Sequence, residues 1–380
     1  MTHTDIVTPN NESCEVIETS MYKMLKSDEF NYLFNFETGE HMRWGETEDE
    51  DPLTCPFGPE IADIEVSTIC HGVGKVCSHC YKSNTSVGEN MSFDTFRTMF
   101  DKFPASLTQI AFGIGDIDSN PDLYKMMDYC RNNGHNKVIP NITVNGDRLT
   151  DYHLTKLSEL CGAVAVSLYD KDITFNAIKD LKAKGLHAVN MHVVLSEENY
   201  DNCLLAIDGY KNDDRLKDID AIVFLSLKPK GRGTAHHPLS KDKFKNIVDI
   251  CVKDNVSFGF DSCTSPRFLD AIKNDKKLFD QCVTYVESCE SSRMSAYINV
   301  KGEYWHCSFA EGHSSCTPID VVNCNDFLED VWYTNEVQRF RVALFSNHIP
   351  ELADDCYGCP VYPDLYEIGL HSETSNTPIS

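Results

Sequence analysis

The sequence predicts an α/β fold: a largely parallel sheet, barrel-like or open, followed by a smaller cysteine-bearing unit. Short apolar runs recur with helical stretches between them, and beyond about residue 265 the pattern gives way to cysteine-rich loops. The composition is that of a folded globular chain, with 41% hydrophobic and 10% aromatic residues among 380. That length can bury a large core, so one big domain with an appendage is expected.

Residues 1–59 are polar and acidic and read as an N-terminal extension. Within it "GETEDEDP" (45–52) reads as a solvated loop, and "FNYLFNF" (30–36) as a short strand or an aromatic plug. From about residue 60 strands are expected at 62–68, 108–114, 138–144, 162–168, 188–194 and 221–227, with 256–261 as a further candidate. "SFDTFRTMFDKF" sets Phe93, Phe96, Phe100 and Phe103 on one helical face behind Ser92 as N-cap. "PDLYKMMDYCRNNG" reads as a helix with Pro121 in its first turn and Gly134 at its end. Further helices are expected near 151–160, 174–184, 198–210 and 240–254. Strands that are continuous apolar runs fit a parallel sheet covered by helices. The reactive edge of such a sheet is the C-terminal ends of its strands. "SAYINVKGEYW" (295–305) reads as a hairpin turning at Lys301–Gly302, with a helix near 334–345.

A formal charge of −25 argues against nucleic acid and against an anionic membrane surface as partners. The first residues show no basic start and no apolar run, so no signal peptide is read. Apolar runs such as 221–227 are too short to span a bilayer. The expected location is the cytoplasm, where thiols stay reduced. The 17 cysteines are then metal ligands and core residues rather than disulfides.

Three of them, Cys70, Cys77 and Cys80, fall in "CHGVGKVCSHC", just past the first strand of the alternating region. Three thiolates leave one position of a tetrahedral or cluster site open. Zinc, with His71 or His79 as fourth ligand, is one reading. The other is a [4Fe–4S] cluster whose open iron takes a cofactor.

On these residues the chain resembles the radical SAM superfamily, whose usual Cys-x3-Cys-x2-Cys is here Cys-x6-Cys-x2-Cys. The resemblance implies a partial (β/α)6 TIM-type barrel over residues 60–264. It also implies S-adenosylmethionine bound at the open iron and cleaved reductively to a 5′-deoxyadenosyl radical. That radical then abstracts hydrogen from a substrate. His79 stands where an aromatic ring usually packs near the adenine. "AFGIGD" supplies Gly113, Gly115 and Asp116 in place of a Gly-Gly-Glu segment that meets the SAM amino group. "TVNG" supplies Thr143 and Asn145, and "AVSLYD" supplies Ser167, at the ends of the next two strands.

"CESSRMSAYINVKGEYWHC" fits Cys-x(9–15)-Gly-x4-Cys, the hairpin signature of SPASM and twitch domains, and "CYGC" follows it. This resemblance implies a twitch-like domain over 265–365, ending in a flexible tail at 366–380. Cys289, Cys307, Cys356 and Cys359 would hold one auxiliary [4Fe–4S] cluster, with zinc as the alternative. Cys263, Cys282, Cys316 and Cys324 are other available thiols. The remaining implied partners are a low-potential electron donor such as flavodoxin or ferredoxin and a small-molecule or peptide substrate, with a slight lean to the small molecule. Lys228 and Arg232 are candidates for a carboxylate of SAM or substrate. The rival from another class is a non-catalytic zinc or iron–sulfur protein that uses both cysteine sets structurally.

Overall fold

Residues 2–44, expected to hold one short strand at most, form five. The computed structural model describes residues 1–134 and 136–363, and the tail expected at 366–380 lies outside the described residues. β1 (Thr2–Val7), β2 (Ser13–Glu18), β3 (Tyr22–Lys26), β4 (Asn31–Asn35) and β5 (His41–Trp44) make an antiparallel meander in chain order. Its buried side holds Cys14, Val16, Leu25, Tyr32 and Phe34. The other side mixes Ile17, Met24, Leu33 and Met42 with polar and charged residues, so the alternation that marks a strand was lost among acidic residues.

The alternation then begins as expected: β6 (Ile61–Glu65), α1 (Phe93–Phe100), β7 (Gln109–Gly113), α2 (Leu123–Asp128), β8 (Ile139–Val144) and α3 (Asp151–Leu160). β9 (Ala163–Ser167), α4 (Lys171–Ala183), β10 (Ala188–Leu195), α5 (Tyr200–Asn212), β11 (Ala221–Ser226), α6 (Lys241–Lys253) and β12 (Phe258–Phe260) continue it. α7 (Ser265–Ile272) and α8 (Lys276–Cys282) lead to the hairpin β13 (Ser295–Ile298) and β14 (Glu303–Trp305), then β15 (Ile319–Asp320) and α9 (Asn335–Ser346). Ser92 caps α1, its Oγ accepting from Thr95 N at 3.1 Å. Phe96, Phe100 and Phe103 are buried as the spacing requires.

The chain divides into two compact units. The first holds 1–77, 84–190 and 291–341; the second holds 78–83, 191–290 and the chain from Val342. In the first, the strand order β9-β8-β7-β6-β13-β14-β15 is parallel from β9 to β13, and β13 enters beside β6 in the register Ile298↔Ile64. Along each of β6 to β9 one face is buried and apolar: Ala62, Ile64, Ile110, Phe112, Ile142, Val144, Val164 and Val166. The opposite, inner face carries small and polar residues instead, among them Asp63, Glu65, Ala111, Gly113, Asn141 and Thr143. That division is the period of two of a strand whose two faces meet different surroundings.

The meander closes the N-terminal ends of these strands. Tyr32 OH donates to Ser106 O (2.6 Å), and the fully buried Lys23 donates to Leu107 O (2.6 Å) and to Asn136 Oδ1. Thr108 Oγ1 donates to Glu60 O at 2.7 Å, and Trp332 Nε1 to Cys55 O at 2.8 Å. In the second unit β10, β11 and β12 lie in that order, β11 and β12 parallel, and Leu269, Ile349, Leu352 and Cys356 form an apolar cluster.

Candidate functional site

β6 delivers the chain to Cys70 at the C-terminal edge of the sheet, and β7 and β8 deliver the groups that hold it. Asp116, directly after Gly115 and three residues past the end of β7, is almost fully buried. Its carboxylate accepts from His71 N (2.7 Å), His71 Nδ1 (2.7 Å), Asn145 Nδ2 (3.0 Å) and the Arg148 guanidinium (2.8 Å). Cys70 Sγ lies 3.8 Å from its Oδ1. Burial pushes the Asp116 carboxyl up, but the His71 backbone and ring donors and Arg148 outweigh it and hold the group below its ordinary value. Asp116 therefore stands ionised and saturated with donors.

Gly115 is the second contact. A Cβ there would stand 2.3 Å from Ile69 O and 2.4 Å from Cys70 Cβ, so any side chain would displace the loop. Gly72 plays the same part inside the long first gap. It adopts φ +70°, and a Cβ would meet Lys75 O at 2.0 Å. The loop folds back on itself there, which is how six residues fit between the first two cysteines.

The cysteines sort by environment. Cys70, Cys77 and Cys80 are half-buried and keep access to solvent. Cys14, Cys55, Cys130, Cys161, Cys203 and Cys251 are buried, and desolvation pushes each thiol well up. All six are core residues: Cys130, Cys161, Cys203 and Cys251 as expected from their helical or strand-side places, and Cys14 and Cys55 from a region expected to be irregular. The donor chemistry at Cys70, Cys77 and Cys80 fits a thiophilic metal or cluster, and the Gly115 cradle fixes the first of them.

The second set is less uniform. In the second unit Tyr357 N donates to Ser288 Oγ at 3.0 Å, which joins the segments that carry Cys289 and Cys356. Cys289 is buried and Cys359 half-buried, its Sγ accepting from Tyr362 N at 3.3 Å. Cys356 sits in the apolar cluster, and burial pushes its thiol up to about 12. Cys307 follows β14 in the first unit. Among the described residues no group of three or more His, Cys, Asp or Glu side chains is gathered at metal-holding distance.

Gly113 packs on Glu65 across the β6–β7 pair, and Thr143 sits on the inner face of β8. Ser167 ends β9, its carbonyl accepting from Thr174 Oγ1 at 3.1 Å. In the second unit His79 meets His236 edge to face at 5.8 Å. Burial, with His236 and Arg232 adding to it, lowers the His79 value, so the ring is neutral at pH 7. Lys228 is not a free cation at a strand end. It is buried and donates to Asp261 Oδ2 (2.7 Å) and Ser226 O (2.9 Å). Arg148 is a site residue that sequence reasoning missed, and His71, read there only as a zinc ligand, donates to Asp116 instead. A basic residue three positions after Asn145, at the end of the strand beside "GIGD", was the available signal.

Parallel strands alternating with helices, closed at one end and polar at the other, are the layout of a partial barrel, and the chain shares its fold with solved structures that hold AdoMet. Polyhistidine-tagged anSMEcpe with bound AdoMet matches at TM-score 0.59 with 14% identity, over 82% of this chain and 92% of that one. Native anSMEcpe with bound AdoMet and the Cp18Cys peptide matches at TM-score 0.56 with 16% identity, over 75% and 83%. The same protein with AdoMet and the Kp18Cys peptide matches at 0.53 with 15% identity, over 74% and 83%. No family model and no curated protein matches the sequence. Among the described residues no helix is long and apolar enough to cross a membrane.

Proposed function

We propose that the chain is a radical SAM enzyme with an auxiliary iron–sulfur cluster. Cys70, Cys77 and Cys80 would hold the [4Fe–4S] cluster that binds S-adenosylmethionine. When bound, that pair supplies a 5′-deoxyadenosyl radical for hydrogen abstraction. Gly113, Gly115, Thr143, Asn145, Ser167 and His79 would line the SAM site at the strand ends. The observation that carries the reading is the Asp116–Gly115 clasp: it fixes the loop of Cys70 at the edge where such sheets bind ligands.

Asp116 takes a different part from the one its place in "AFGIGD" suggested. With four donors already on its carboxylate, it acts on the loop as a positioning residue rather than on the SAM amino group.

Cys289, Cys307, Cys356 and Cys359 would hold the auxiliary cluster and take part in net oxidation or bond formation. A low-potential flavodoxin or ferredoxin would supply electrons. The peptide-bound structures among those similar to this chain favour a peptide substrate over the small molecule.

Anaerobically purified protein tests this. Two clusters correspond to about eight irons per chain, with 5′-deoxyadenosine formed from SAM on reduction and lost in Cys77→Ala. Stoichiometric zinc, without charge-transfer absorption near about 400 nm, would overturn it.

A further inference from the structure

The inner face of the first unit's sheet holds a charge that the clasp does not use. Asp63 lies midway along β6, between strands on both sides: its register partners are Ala111 on β7 and Tyr297 on β13. Tyr297 in turn faces Trp305 on β14. Residues opposite one another on neighbouring strands point to the same side, about 4.8 Å apart per strand. Asp63, Tyr297 and Trp305 therefore form one cross-strand row on the inner face. Their neighbours along β6, Ala62 and Ile64, belong to the opposite, apolar face.

Each member of the row is unusual. Asp63 is exposed on the inner face of the sheet, and the protein gathered around it still desolvates its carboxyl. Among the described residues no hydrogen bond or ion pair reaches it. That enclosure pushes its carboxyl up to about 6, so it is mostly ionised at pH 7. Its partner on β7 is the small Ala111, which contributes only a methyl group to the row. Trp305 is 8% exposed, yet its Nε1–H has no hydrogen-bond partner among the described residues. Leaving a buried donor unpaired costs about 1–3 kcal/mol. The Tyr297 hydroxyl, on the same face, lies 3.1 Å from Glu311 Oε2 and 3.4 Å from Glu65 Oε2.

We propose that the row Asp63–Tyr297–Trp305 is a substrate subsite that takes an organic cation, a primary ammonium or a guanidinium, with Asp63 as its counter-ion. The proposal rests on the radical SAM reading for calling the ligand a substrate, but not for the binding itself. An ammonium bound beside Ala111 would meet the carboxylate directly with the two aromatic side chains of the row next to it, a setting that favours cations over neutral groups. Trp305 Nε1–H would serve an acceptor on the same ligand, such as a carbonyl or hydroxyl. The formal charge of −25 favours approach of cations to the whole chain. An acidic row made only to pack would have been filled with apolar residues at lower cost.

The experiment uses holoprotein labelled with 5-fluorotryptophan, whose three tryptophans give three fluorine resonances. Trp305→Phe identifies one of them. The probes are n-butylammonium chloride and methylguanidinium chloride, with sodium chloride and n-butanol as controls. The Trp305 resonance is expected to shift saturably with at least one cation and with neither control. In Asp63→Asn, checked for native circular dichroism, the midpoint should rise about tenfold or more, as for loss of a charged partner. A resonance that ignores both cations, or that responds equally to butanol or in Asp63→Asn, overturns the proposal. If Asp63→Asn does not fold, the wild-type titration against its two controls decides. Failure of the wild-type holoprotein to cleave SAM would remove the enzyme reading and leave the cation titration standing.

Discussion

The two ends of the first unit's strands bury opposite charges, and they do so differently. At the C-terminal rim Asp116 is buried, but Arg148 and His71, which donate to it, are not: the Arg148 side chain is 39% exposed and that of His71 57%. At the N-terminal floor Lys23 is buried whole, its ammonium on Leu107 O and Asn136 Oδ1 with Glu18 Oε2 at 3.6 Å. The floor is a seal whose donors all end inside the protein. The rim is a clasp: its anchor is inside, and the arms that close on it come from solvent. A loop that must accept a cofactor needs the second arrangement, because water can take over the arms when they let go.

The largest effect that would break this comparison is at Gly115. Gly115→Val should displace Ile69 and Cys70 and abolish cluster binding at the rim, read as loss of about half the iron and of SAM cleavage with the fold retained by circular dichroism. Retention of full iron would show that the rim loop is not held by that contact.

Asp116→Asn should loosen the rim by about 2–3 kcal/mol, the scale for hydrogen bonds to a charged group. Hydrogen exchange should rise in 70–77 and stay unchanged in 106–109 at the floor. The sign with pH follows from a carboxyl held below its ordinary 3.8: its contribution is present above about pH 4 and is lost only in stronger acid.

The floor should respond with the same sign, stability rising with pH, but in another window and because a cost is relieved rather than a contribution gained. Burial, opposed by Glu18, lowers Lys23 from 10.5 to about 7. The folded state then releases this proton before the unfolded chain does, so stability rises as pH goes from about 7 towards 10.5. Lys23→Met should accordingly cost less at pH 6 than at pH 9, by on the order of 2 kcal/mol in urea unfolding. Equal costs at the two pH values would mean that the ammonium stays charged in the floor.

The smallest effect sharpens the contrast from between the two ends. Asp63, raised from 3.8 to about 6, binds its proton more tightly folded than unfolded, so ionising it above pH 6 costs stability. Asp63→Asn should stabilise the protein at pH 8 by about 1 kcal/mol, since solvent on the inner face screens the charge and reduces the gain. No gain, or a loss, would show that Asp63 has a stabilising partner in solution.

Much of the strand and helix order from β6 to β12 was legible, because apolar runs of strand length alternated with helical spacing around Phe96 or Leu157. The meander was not, because β1 and β2 carry one or two buried apolar residues each and otherwise read as solvated acidic chain. Lys23 and Asp63 were missed for a related reason. A charged residue in an alternating strand is read as facing water, and pattern alone does not say that the second face looks onto a floor or a concavity. At the rim, Gly115, Asp116 and Asn145 were legible as a group from their places after successive strands. Their job was not: whether a carboxylate meets a cofactor or holds a loop depends on Arg148, which no motif announced, and on His71, which the cysteine motif offered only as a ligand.

The parallel pairing of β13 with β6 has a consequence for how the molecule is made. Ile64 waits for Ile298, Leu53 O for the Arg293 side chain, and Cys55 O for Trp332, partners that leave the ribosome more than two hundred residues later. During synthesis β6 is therefore an open edge, while all of 191–290 is completed in between. Contacts of such sequence separation slow folding, and they make the last third of the chain a checkpoint. A truncated product that already contains Cys70, Cys77 and Cys80 would still lack the strand that covers this edge.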